Sequence, residues 1–277
     1  MKTKSIKTLG LLTCLTLVGC SQNLNFGKTL VKVDSMVDIL TELTAGTSDV
    51  GIMDSIMANY YLSLDSGYGD TLMVVPDLVL SQEQYGIAAR KDADYTAAKV
   101  SLALVQLLQE GTVAEIADRY GLSDDVIIDE TYTVNLDELT GTSDWDYITN
   151  KGTLIIGYTV FAPIAFEEEG EFVGFDIDLA KAVGELLNLQ VVFQEINWDT
   201  KEIELANKNI DLIWNGMTIT EERQQAMAIS IPYLANKQVA VIRQSDAAKY
   251  QTTADMNQAT IVVESGSAGQ SIVEKQA

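Results

Sequence analysis

The stretch Asp211-Leu212-Ile213-Trp214-Asn215-Gly216-Met217-Thr218-Ile219-Thr220-Glu221-Glu222-Arg223 holds the residues of this chain best placed to do chemistry. Leu212 to Trp214 is a short apolar run of buried-strand type, Gly216 permits a tight turn or a close backbone approach, and Thr218-x-x-Glu221 fits a capping box that opens a helix. Backbone N–H groups then point beyond the end of a strand, the place where open α/β sheets bind ligands. Arg223, in the first helical turn, adds parallel donors that match a carboxylate. The chemistry on offer is anion capture. Taken alone, the same residues also fit a solvated helix face.

Other candidates stand at comparable turns. Asp54 follows a strand, Val50 to Met53, and precedes a helix, Ile56 to Leu64, so its carboxylate suits either an N-cap or a ligand contact. Phe161 and Trp198 follow the strands Thr153 to Gly157 and Gln190 to Ile196, at the same sheet edge as Gly216, where aromatic rings serve edge packing or a ligand. The strand Thr260 to Val263 leads into Glu264-Ser265-Gly266-Ser267-Ala268-Gly269, a small-residue loop that opens a last helix and suits an anion-binding nest. That loop lacks the lysine of a phosphate loop, and Gly-x-Ser-x-Gly does not occur, so neither nucleotide binding nor a serine hydrolase is supported.

Composition narrows the chemistry further. The chain has no histidine, which removes the commonest general base, the commonest transition-metal ligand and any Ser-His-Asp triad. Lys2, Lys4 and Lys7 precede an apolar run from Leu9 to Val18, about half of the ~20 residues a membrane span needs, so 1–19 is expected to be an export signal. The run ends in Leu17-Val18-Gly19-Cys20-Ser21, which resembles a bacterial lipobox with Cys20 as the lipidated first residue of the mature chain. Cys14 would leave with the signal and Cys20 would carry the lipid, so the mature protein is expected to have no disulfide and no thiol for catalysis or metal; no metal and no cofactor are expected. Loss of the three signal lysines leaves 15 of the 18 basic residues against 40 acidic ones, a balance that repels nucleic acid.

The 277 residues suit one large unit or two lobes. From Thr29 onward, strands and helices alternate in short units, the pattern of a doubly wound α/β fold. Thr29 to Val33 reads as a strand, Ser35 to Ala45 as a helix closed by Gly46, and Leu72 to Val75 as a strand stopped by Pro76. Gln84 to Lys91 and Gln238 to Arg243 read as crossovers between lobes. The helices Tyr95 to Glu110 and Val113 to Tyr120 precede Leu122 to Asp144, which has no clean periodicity and reads as a linker. Phe166 to Gly174 reads as an acidic turn before the helix Asp176 to Leu187.

Five stretches carry a resemblance: Gly174 to Ala180, Asn215 to Arg223, Glu264 to Ser267, Gln84 to Ala88, and Gly111 to Tyr120. Together they resemble extracytoplasmic amino-acid-binding proteins of the ABC-transporter solute-binding family 3, and they span most of the mature chain. The resemblance implies an α/β, two-lobed type II periplasmic-binding fold, a free L-amino acid as ligand, permease subunits as partners, and a monomer lipid-anchored outside the cell. It also implies ligand roles. Arg223 would take the α-carboxylate with the Thr218 backbone and the Ser267-Ala268 turn; Asp54, the Gly216 carbonyl and the Thr218 hydroxyl would take the α-ammonium; Phe161 and Trp198 would sandwich the ligand. Tyr158 and Glu264 stand where some members read the ligand side chain, and Glu264 facing the cleft favours a polar or cationic one, whereas Glu264 turned to solvent would favour none. A dehydratase on the same fold and a sensor without transport are the alternatives.

The order of the stretches departs from the family, which begins with the segment found here at Thr153 and ends with the one found here at Tyr120. A circular permutation is expected, with 20–28 as tether, lobe 2 assembled from 29–82 and 243–277, and lobe 1 continuous over 83–242 with the linker 122–144. The new termini would then lie in lobe 2. A truncated tandem duplicate, or two chains exchanging lobe-2 halves, gives the same order.

Overall fold

Local chemistry sets the first elements. Ser35 accepts a hydrogen bond from the Asp38 N–H while the Asp38 carboxylate accepts from the Ser35 N–H, and Gly46 ends the helix at φ 76°, a left-handed conformation cheap only for glycine. The computed structural model describes residues 27–64 and 67–275; the expected signal peptide, Cys20 and the tether up to residue 26 lie outside the described residues.

In chain order the elements are β1 (Thr29–Val33), α1 (Met36–Ala45), β2 (Val50–Asp54), α2 (Ser55–Ser63), α3 (Tyr68–Thr71), β3 (Leu72–Tyr85), β4 (Ala88–Ala89), α4 (Asp94–Gln109), α5 (Thr112–Arg119) and α6 (Thr142–Lys151). They continue with β5 (Thr153–Tyr158), β6 (Phe166–Glu168), β7 (Glu171–Val173), α7 (Phe175–Leu186), β8 (Gln190–Glu195), α8 (Lys201–Ala206), β9 (Leu212–Ile213), α9 (Glu221–Ala226), β10 (Ala228–Ile229), β11 (Leu234–Arg243), β12 (Thr260–Glu264) and α10 (Ala268–Glu274).

Two five-stranded sheets, in the orders β1-β12-β2-β11-β3 and β10-β4-β9-β5-β8, form the two lobes of a type II periplasmic-binding fold. The first sheet (lobe 2) draws on both ends of the chain: β1 runs parallel to β12 from Thr29 opposite Thr260 to Val33 opposite Glu264, and β12 runs parallel to β2. Its faces are both covered. Ile261 and Val263 of β12 pack into one apolar cluster with Val50, Ile52 and Ile242, while Val262 points the other way to Ile39, Leu40 and Leu43 of α1. Period-2 alternation between two buried layers explains why these strands read as unbroken apolar runs. Each fully buried Leu or Ile contributes roughly 1.5–3 kcal/mol. In lobe 1, Leu154, Ile156, Leu212 and Trp214 pack under Phe175, Leu179 and Val183 of α7.

Several expectations are corrected. The strand expected to stop at Pro76 continues to Tyr85 as β3, because β3 is an edge strand whose outer side needs no donor, and a bulge opposite Val239 to Val241 absorbs Pro76 and Asp77. Gln238 to Arg243, expected to cross between lobes, instead lies inside the first sheet, with Gln238 to Ile242 paired to Asp54 to Val50. The crossing falls earlier, where Leu234 to Lys237 pair with Tyr85 to Gln82, so the boundary expected at 242/243 lies before Gln238. The two crossing segments are hydrogen-bonded to each other.

The expected linker is partly packed. Leu122 and Ile128 are buried, the Ile127 N–H donates to the Tyr233 carbonyl at 3.1 Å, and α6 already begins at Thr142. Asp144 and Lys151 of α6 are tied to Arg90 and to Asp211, and the Asp211 carboxylate also accepts from the Ile155 N–H at 2.8 Å. Irregular backbone hid these contacts because no periodicity announces them. The acidic turn Phe166 to Gly174 is a hairpin, β6 paired with β7.

A cleft between the lobes as the candidate ligand site

β9 ends at Ile213, and the turn that follows is held from below. Gly216 sits at φ 61°, and its N–H donates to the Asp176 carboxylate at 2.8 Å; the Tyr233 hydroxyl donates to the same oxygen at 2.7 Å. Burial pushes the Asp176 carboxyl up to about 7, against the pull of those hydrogen bonds. A side chain at Gly216 would place its Cβ 2.6 Å from the Phe161 ring and 3.1 Å from the Tyr85 ring, so the glycine is required both by conformation and by the closeness of the aromatics.

α9 starts two residues later than the expected capping box implies. Thr220 is the N-cap, accepting from the Arg223 N–H at 3.1 Å, whereas the Thr218 hydroxyl is spent on Glu83 at 2.9 Å. Thr218 is instead pinned by an isolated bridge to Tyr85, which leaves its side chain facing the crossover strands. Arg223 is buried, and its guanidinium donates to the Thr218 carbonyl at 2.8 Å and, across the cleft, to the Gly266 carbonyl at 3.1 Å. Lys201 reaches the same Gly266 carbonyl at 3.1 Å and the Trp198 carbonyl at 2.9 Å, with its ammonium 4.8 Å above the Trp198 ring. Burial, then the neighbouring Arg223, lowers the Lys201 ammonium to about 8.

The facing wall comes from lobe 2. Asp54 ends β2 in the N-cap position of α2 but makes no capping bond; its carboxylate accepts from Asn236 and, at 2.6 Å, from Gln238. Asp54 therefore lines the cleft without acting as a side-chain cap. Glu264 ends β12, buried and not turned to solvent; burial raises its carboxyl to about 8, while Lys201 and Arg223 pull it down. Ser267 caps α10 by accepting from the Gln270 N–H at 3.0 Å.

Asp54, Phe161, Trp198, Gly216, Thr218, Arg223, Glu264, Ser267 and Ala268 line one cleft. Tyr158 does not. Its ring lies 4.4 Å from Phe172 of the β6–β7 hairpin and 6.3 Å from Phe193, in a separate surface groove, so the hairpin that the sequence reading took for a turn removes Tyr158 from the site. Glu83, Lys201, Asn236 and Gln238, each hydrogen-bonded to a residue of this lining, were missed. Asn236 and Gln238, two apart on β11 and followed by the apolar run Val239 to Ile242, share a sheet face, and that spacing was the available signal. Glu83 and Lys201 carried none, since each sits in a run of polar residues.

A buried guanidinium on one lobe and a buried carboxylate on the other thus line one cleft together with the rings of Phe161 and Trp198. Residues 154–274 match the bacterial extracellular solute-binding proteins, family 3. It is 30% identical over 115 residues to cyclohexadienyl dehydratase of Pseudomonas aeruginosa (41% of this chain, 43% of that protein). It is also 30% identical over 129 residues to the arginine-binding extracellular protein ArtP of Bacillus subtilis (46% and 49%). A point mutant of the arginine-bound domain 1 of TmArgBP matches at 30% identity and TM-score 0.32, over 47% of this chain and 95% of that one. The chain thus spans under half the length of these curated relatives.

Proposed function

We propose that this protein captures a free L-amino acid between its lobes outside the cell and delivers it to the permease of an ABC importer. The observation that carries the reading is the pairing, across one cleft, of buried Arg223 and buried Asp54, opposite charges spaced by aromatic walls as the two ends of an amino acid require. The guanidinium has five N–H donors and gives one each to Thr218 and Gly266, which leaves donors for a ligand carboxylate. Phe161 and Trp198 exclude water around the ligand body and so strengthen both charge contacts. Glu264 at the cleft wall favours a polar or cationic side chain, because burial penalises its charged form and a further donor or positive group offsets that cost. Binding, not dehydration, fits a site that keeps an anchor for each end of the amino acid.

The finer features of the reading are a lipid anchor at Cys20, a monomer, and a permuted chain order in which lobe 2 is built from both ends; the parallel pairing of β1 with β12 in one sheet supports the last of these. A thermal-shift screen against the twenty amino acids tests the reading, since a tight ligand raises the melting temperature by mass action. Polar or cationic amino acids are expected to shift it; a response confined to aliphatic and aromatic ones removes the preference, and no response to any amino acid removes the function.

A further inference from the structure

Glu83 has no assigned part in the site, yet it is wired to Asp54. Gln238 Nε2 lies 2.6 Å from Asp54 Oδ1 and 3.1 Å from Glu83 Oε2, and Asn236 Nδ2 likewise donates to both carboxylates, at 3.2 Å to Glu83. Two oxygens that share both nitrogens stand within the roughly 4–6 Å over which like charges govern each other's ionisation. Their other oxygens, Asp54 Oδ2 and Glu83 Oε1, take no hydrogen bond among the described residues. The Tyr85 hydroxyl beside Asp54 is buried without a well-formed partner. The Thr218 hydroxyl of the opposite lobe completes the ring at 2.9 Å from Glu83.

We propose that Glu83 is a second carboxylate of the ammonium-binding site, and that the Asp54–Glu83 pair holds one proton in the unliganded protein and releases it to solvent when a ligand ammonium enters. This rests on the amino-acid reading of the same cleft and adds a ligand group and a proton. The balance is simple: one neutral carboxyl, one carboxylate and an incoming ammonium become two carboxylates, a bound ammonium and a free proton.

The surroundings favour it. The groups facing the pair are Asn236 and Gln238 of β11, both neutral and both donors, Tyr85 of β3, Glu264 at the end of β12 and, toward Glu83, the cation Arg223 of α9. Arg223 acts on Glu83 from a guanidinium already engaged with two carbonyls. Burial first, then the neighbouring carboxylates, holds the Asp54 carboxyl well above its ordinary range, and burial raises that of Glu83 against its hydrogen bonds. An ammonium between them supplies the missing countercharge, and two carboxylates then satisfy more of its three donors than one could. Both Glu83 and Asn236 lie on the strand pair that crosses between lobes, so the same event changes the charge at the crossing.

Carbon-13 NMR of the side-chain carboxyls of the whole protein, titrated with pH, tests the proposal without knowledge of the natural ligand, with methylammonium chloride as the probe and sodium chloride at equal ionic strength as control. One carboxyl of the pair is expected to remain protonated through neutral pH, and methylammonium to lower its midpoint by about one pH unit or more, a tenfold coupling. In Glu83→Gln the probe is expected to move the Asp54 midpoint less, and in Asp54→Asn that of Glu83 less. Two carboxylates both ionised at neutral pH, or a midpoint that methylammonium leaves in place, overturns it. The amino-acid screen fails independently: no response there with a coupled pair here removes the amino-acid reading and leaves the ammonium site.

Discussion

The Arg223 guanidinium of lobe 1 donates to the Gly266 carbonyl of lobe 2 at 3.1 Å, and this contact closes the cleft at the point where a ligand carboxylate is expected. Lys201 donates to the same carbonyl. One backbone oxygen therefore gathers two cations, and a carboxylate that enters finds both within reach. Arg223 is the one with a planar fork.

Arg223→Ala is expected to weaken amino-acid binding by about 3–5 kcal/mol, the scale for removing one partner of a buried charge pair. Arg223→Lys recovers only part of it, because an ammonium cannot offer two parallel donors. Titration calorimetry with an amino acid that stabilises the wild type checks both; an unchanged Kd in Arg223→Ala takes this residue out of the site.

At Gly216, alanine is expected to cost about 1–3 kcal/mol of stability through a left-handed backbone and a Cβ driven toward Phe161. Phe161 must then move, and binding should fall by more than stability does. Urea unfolding alongside calorimetry separates the two effects; a variant as stable and as tight as wild type contradicts the crowding seen here.

Stability should fall as pH rises through the neutral range. Asp176, pushed up to about 7 by burial, stays protonated in the fold where the unfolded chain has ionised, so its stabilisation is fully present below the unfolded value and is lost as pH passes about 7. Glu264, at about 8, works in the same direction, while Lys201, at about 8, stays charged below that and adds no slope. Asp176→Asn keeps an acceptor for Gly216 and Tyr233, so its melting temperature should depend less on pH between about 4 and 8 than that of the wild type. Equal slopes in the two proteins would place the effect elsewhere.

Thr29 and Thr260 face each other across β1 and β12. Oxidation of the double variant Thr29→Cys, Thr260→Cys should cross-link within one chain, giving a monomer of altered gel mobility. A disulfide-linked dimer would instead mark an exchange of lobe-2 halves between two chains.

Asp176 shows where sequence reading stops. Its place at the start of a helix was legible, because Gly174-Phe175-Asp176 and the apolar spacing after it announce that element, but its carboxylate belongs to a turn 40 residues on. The same holds for Thr218, which fits a capping box by spacing and is diverted to Glu83 by a bridge to Tyr85 that spacing cannot report.

What the sequence determined by itself was local and periodic. The alternation of strand and helix, the glycine stops, the absence of histidine, the strand-end positions of Asp54, Phe161, Trp198 and Glu264 and the place of Arg223 in a first helical turn all follow from residue types at short separations. Those positions suffice to name most of the cleft, because every carboxyl end of a strand in such a sheet faces the same crevice. Tertiary structure decided the rest. It placed Gln238 inside a sheet and not between lobes, turned Tyr158 onto Phe172, and joined Glu83 to Asp54 through two amides more than 150 positions away from either partner. The physical reason is that hydrogen-bond registry and side-chain packing between distant segments are settled only when the sheets close, and no short-range pattern encodes which strand will lie beside which.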